Sequence, residues 1–112
     1  MNYTTETIKI MLDFLQGPIW ISDVDTGEPN TGIAIIDSDK TIKELNYKCA
    51  KLFNSYYEFD SHNQPCWFNY EKEKADKEIM LDLISKLVAR LNELNDGSYI
   101  VEDLEIPRLK QL

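Results

Sequence analysis

The sequence predicts an α+β fold: a small antiparallel or mixed sheet of three to five strands packed by about three helices, in the order α-β-β-α-(β-β)-α-β. Three observations carry that prediction. Residues 41–56 and 70–95 repeat apolar side chains at helical spacing. Shorter runs between and beyond them are rich in β-branched and aromatic residues. Turn chemistry such as Asp25-Thr26-Gly27 and Asp96-Gly97 separates the runs. A chain of 112 residues, 43% hydrophobic, suits one domain over 1–112 with a real core.

Residues 4–16 read as a first helix, with Thr4 or Thr5 as cap and Ile8, Met11, Leu12 and Leu15 on one face. Gly17-Pro18 stops it. Residues 18–24 read as a strand, 25–31 as a turn and 32–37 as a second strand. The link is too short for a parallel crossover, so the pair should be an antiparallel hairpin. Asp37-Ser38-Asp39 reads as turn and cap residues before the helix over 41–56, and Thr41 with Glu44 fits a capping box. In that helix Ile42, Leu45, Cys49, Leu52, Phe53 and Tyr56 share a face. Residues 57–59 and 66–68 read as short strands around a polar turn at 60–64. Asn69 can cap a long helix over 70–95, whose stripe runs Met80, Leu83, Ile84, Leu87, Val88, Leu91 and Leu94. Residues 98–104 form the last strand, and Pro107 starts a short tail.

Twenty acidic residues face twelve basic ones, a net charge of −8. That balance argues against direct contact with nucleic acid or with an anionic membrane, both of which require basic patches. It favours a partner protein with a basic surface. The first forty residues alone hold seven acids and two bases. No apolar run reaches the ~20 residues of a membrane span, and the first residues lack the basic and apolar regions of a signal peptide. A cytoplasmic location follows as an expectation. Cys49 and Cys66 make no CxxC pair and are expected as free thiols. Frequent Lys, Ile and Asn suggest an AT-rich bacterial or phage genome.

No catalytic constellation emerges. Asp25-Thr26-Gly27 resembles the active-site triplet of retroviral aspartic proteases. The flanking Asp23-Val24 and Glu28-Pro29 depart from that family's pattern, and the triplet fits an ordinary turn. Asp23, Asp25, Asp37 and Asp39 have the right chemistry for Mg²⁺ or Ca²⁺, but the expected hairpin holds the two pairs at opposite ends. His62 and Cys66 have the types for thiol chemistry without a third orienting group. Neither metal nor cofactor is expected.

Aromatic clustering is the strongest signal: six of twelve aromatic residues are Tyr56, Tyr57, Phe59, Trp67, Phe68 and Tyr70. Of these, Tyr57 and Trp67 are the expected exposed pair. The sequence therefore predicts a non-enzymatic acidic binding protein that blocks a partner protein, as a toxin-immunity protein or a phage-encoded inhibitor of a host defence nuclease does. The expected partner-binding residues are Asp23, Asp25, Glu28, Tyr57, Phe59, His62 and Trp67. The alternative is a homo-oligomer that sequesters a nucleotide-like small molecule through Tyr57, Trp67, Arg90 and Arg108. Near-heptad spacing of the long helix also allows a homodimer.

Overall fold

The computed structural model describes residues 6–23 and 25–112. The described chain opens on β1 (Glu6–Ile10), where the sequence predicted a helix. Ile8 and Ile10 are buried and their neighbours exposed, the two-residue period of a strand. The same residues fit a helical face, and pairing decides between the two. β1 is the central strand of a three-stranded sheet, antiparallel to β2 (Ile19–Trp20) and parallel to β5 (Tyr99–Asp103). Both flanks of β1 are bonded, a site that suits β-branched residues. Thr4 and Thr5 lie outside the described residues.

The strand expected over 18–24 is regular only at β2, followed by an isolated antiparallel bridge from Ser22 to Pro29. The chain does reverse, but sooner than predicted. The Asp23 N–H donates to the Glu28 carbonyl and the Asn30 N–H to the Ile21 carbonyl. Residues 32–37 are not the second strand, because they contain α1 (Ala34–Asp37). The Asp37 carboxylate accepts the N–H groups of Thr31 and Gly32 and the Thr31 hydroxyl, which folds this segment onto itself.

Helix α2 (Lys40–Asn54) starts at Asp39, whose carboxylate accepts the Ile42 N–H. Thr41 therefore lies inside the first turn and is not the cap. The aromatic segment forms β3 (Tyr57–Ser61) and β4 (Gln64–Phe68), a separate two-stranded hairpin. His62 and Asn63 turn it with φ of 53° and 58°, the left-handed pair that matches the twist of flanking strands. The predicted helix over 70–95 is divided at Asp76 into α3 (Tyr70–Ala75), capped by Asn69, and α4 (Lys77–Leu94). After β5, the tail from Pro107 belongs to α5 (Glu105–Lys110), where proline falls in the first turn and breaks no helical bond.

The core lies between the sheet and the helices. Ile8, Ile10, Ile19 and Tyr99 meet Met80, Ile84, Leu87 and Leu91 of α4, with Ile42, Cys49 and Phe53 of α2 completing the cluster. The Tyr99 hydroxyl donates to the Leu91 carbonyl and pins strand to helix. This is the α+β class that the sequence predicted, with a mixed sheet, although the first element is a strand. No described helix is long and apolar enough to cross a membrane.

One contact fixes the turn after β2 against α2. The buried Asn46 side chain donates to the Gly27 carbonyl at 2.9 Å. A Cβ at Gly17 would stand 2.2 Å from that carbonyl oxygen and 2.6 Å from Asn46 Oδ1. Backbone cannot yield there as a flexible side chain would. Gly17→Ala should therefore destabilise by about 1–3 kcal/mol, the usual range for overpacking, measured as a lower urea midpoint with an unchanged slope.

Candidate functional site

The acidic turn and the aromatic hairpin meet across one loop. Phe14, just beyond β1, packs against Tyr57 with ring centroids 4.2 Å apart and against Phe59 at 6.0 Å. The next residue, Leu15, has φ of 62° and donates its N–H to the Asn54 side chain. It is 61% exposed. Leu15 and Gln16 line a shallow depression with Asp25, Thr26, Gly27, Ala50 and Asn54. Phe14 and Leu15 thus form a strip of chain that links the acidic turn to Phe59, which is 60% exposed.

The turn is rigid. The Asp23 carboxylate accepts the N–H groups of Asp25 and Thr26 at 2.8 and 3.0 Å. Those N–H groups, Thr26 first, hold its carboxyl below the usual aspartate range. The Thr26 hydroxyl accepts the Glu28 N–H. Asp25-Thr26-Gly27 is thus a side-chain-capped turn that presents Asp25 and Glu28 to solvent. Asp37 and Asp39 are committed to the α1 loop and to α2. Among the described residues, no group of three His, Cys, Asp or Glu side chains is placed to hold a metal ion.

Strand alternation separates the remaining residues. Phe59 pairs with Cys66 and Tyr57 with Phe68 on one face, while Glu58 pairs with Trp67 on the other. The His62 ring stacks on Trp67 at 3.7 Å, so His62 and Cys66 belong to opposite faces. The expectation that Tyr57 and Trp67 are the exposed aromatics is corrected: both are half-buried, Tyr57 under Phe14 and Trp67 under His62. Phe59 and Tyr70 (71%) are the exposed ones. Of the expected partner-binding set, Tyr57 and Phe59 share one face of the hairpin beside Phe14, while Asp25 and Glu28 are exposed on the turn. Asp23 lies beneath the turn, and His62 with Trp67 faces the other way.

The alternative set, Tyr57, Trp67, Arg90 and Arg108, does not converge. Arg90 spans from α4 to Asp39 at 2.7 Å and to Glu93 at 3.0 Å. Trp67 lies across the hairpin from Tyr57. Only Tyr57 and Arg108 share a groove, lined also by Met11, Phe53, Phe68 and Tyr70. Arg108 is clasped there by Glu73 and Glu105, both at 2.9 Å. Burial acts to lower the pKa of Arg108, and the two carboxylates outweigh it and raise it.

Sequence reasoning missed Leu15, Phe14, Glu73 and Glu105. The sequence places Leu15 on an apolar helix face and gives Glu73 and Glu105 no particular role. Their burial has no local signature. No family model, curated protein or solved structure matches the chain.

Two expectations follow. Hydrogen bonding from Arg90 holds the Asp39 carboxyl below the ordinary 3.8. A depressed folded pKa contributes stability in full above pH 3.8, and that stability is lost as pH falls through the folded value. Asn caps helices as well as Asp, so Asp39→Asn keeps the cap while removing the charge and one acceptor of Arg90. The variant should be about 1.5 kcal/mol less stable at pH 7, and thermal melts should show the gap closing below pH 3.8. Separately, burial pushes the Cys49 thiol up to about 12, whereas Cys66 is exposed. A thiol reagent should titrate one cysteine in the native protein and two in denaturant, and Cys66→Ser should abolish the native reaction.

Proposed function

We propose that this chain is a non-catalytic acidic protein that binds and blocks a partner protein with a basic surface. The role is that of a toxin-immunity protein or of a phage-encoded inhibitor of a host defence nuclease. The observation that carries the reading is the strip itself. Leu15 and Phe59 stand exposed, joined by Phe14, with Asp13, Asp25 and Asp60 exposed nearby in sequence. An apolar centre with acidic margins matches the anatomy of a protein interface, in which aromatic anchors supply most of the affinity and charges speed encounter. The net charge of −8 supports a basic target, such as the groove with which a nuclease holds its substrate.

The test begins with native mass spectrometry of the tagged protein, purified gently from its own host under infection or toxin exposure. A stoichiometric second polypeptide is expected. With that partner in hand, Phe59→Ala should weaken binding by about 2 kcal/mol, roughly thirtyfold, without lowering the melting temperature. Asp25→Asn should slow association, and added salt should reduce the wild-type association rate. Association indifferent to Leu15→Asp, Phe59→Ala and salt alike would remove the reading.

A further inference from the structure

A second site lies in the groove between the hairpin base and α5, and it does not depend on the partner reading. Its floor is Arg108. Glu73 accepts from both terminal nitrogens at 2.9 and 3.3 Å, and Glu105 accepts from Nε at 2.9 Å. Three of five N–H groups are thereby used and the guanidinium plane is fixed. The other two have no partner among the described residues, and the side chain remains 39% exposed while that of Glu73 is 3% exposed. Two carboxylates around one guanidinium leave the floor at a net −1. A phosphate or carboxylate would meet that net charge, and the −8 of the whole chain behind it. A neutral carbonyl or ring nitrogen gains the hydrogen bond without the repulsion.

The walls define the rest of the ligand. Phe53, Tyr57, Phe68 and Tyr70 line a groove of about 550 Å³, within the usual range for small-molecule sites. Tyr57 and Tyr70 each meet Phe68 at a steep angle, 70° and 68°, with centroids 4.9 and 4.7 Å away. Phe14 already covers Tyr57, and Tyr70, 71% exposed, offers its ring to a flat ligand; every nucleobase has a π-face to stack on it. We infer that this groove binds an uncharged planar heteroaromatic compound of the nucleobase class, stacked on Tyr70 with one ring-edge acceptor on Arg108, and discriminates against its phosphorylated forms.

The experiment titrates the full chain with guanosine, adenosine, cytidine and uridine, and with their 5′-monophosphates, while the tyrosine and phenylalanine ring resonances are followed by NMR. At least one nucleoside should give saturable shifts at Tyr57, Phe68 and Tyr70, and its monophosphate should bind at least tenfold more weakly. Tyr70→Ala removes an exposed ring, so it should weaken nucleoside binding at least tenfold at an unchanged melting temperature. Arg108 is left intact, since its loss would strand two buried carboxylates. No saturable shift with any nucleoside would overturn the inference. So would equal or tighter binding of the monophosphate, or undiminished binding by Tyr70→Ala.

Discussion

The ion trio of Glu73, Arg108 and Glu105 is the constraint on which the arrangement depends. Glu105 is buried at the start of α5 and uses its second oxygen to accept the Leu12 N–H at 2.8 Å, immediately beyond the central strand. Arg108, one turn later, reaches the buried Glu73 of α3. One cluster thus joins the end of β1, the C-terminal helix and the first turns after the hairpin. Removing Arg108 would leave the buried carboxylates of Glu73 and Glu105 unpaired, which destabilises the fold. The same clasp that ties three elements together sets the orientation of the guanidinium under the aromatic groove.

The hairpin position follows from this anchoring. The Asn69 N–H donates to the Tyr56 carbonyl, and the Asn69 side chain donates to Glu58 while accepting the Lys72 N–H. With α3 held by Arg108 and the hairpin base held by Asn69, the β3–β4 arm has a defined exit from the core. Tyr57 and Phe68 remain near the body, and Phe59 stands further out. The arm then meets Phe14 because β1 ends where Glu105 receives it. Hairpin, groove and sheet are coupled through a few polar contacts, of which Leu12–Glu105 and Glu73–Arg108 join residues far apart in sequence.

Local sequence made several elements legible. Asn69 as a cap, the hairpin around its polar turn, α2, the stripe of α4 and the last strand all follow from periodicity and turn chemistry. The sequence misjudged which rings stand free, because alternation on a strand fixes faces but not what covers them. Tyr57 is hidden by Phe14, a residue more than forty positions earlier, and Trp67 by His62 across the hairpin turn.

What the sequence determined by itself is the class, the acidity and the location of the aromatic and turn-forming segments, since these rest on composition and on contacts within one element. Tertiary structure decided the rest. Residues 6–10 satisfy both helical and strand periods, and only pairing with β2 and β5 selects the strand. Arg90 and Arg108 read as available cations, but each is held by carboxylates from elsewhere in the fold. The physical reason is common to these cases. A backbone hydrogen bond across a sheet, or a charge pair across a core, has an energy set by its partner, and the partner's position is unknown until the chain has folded.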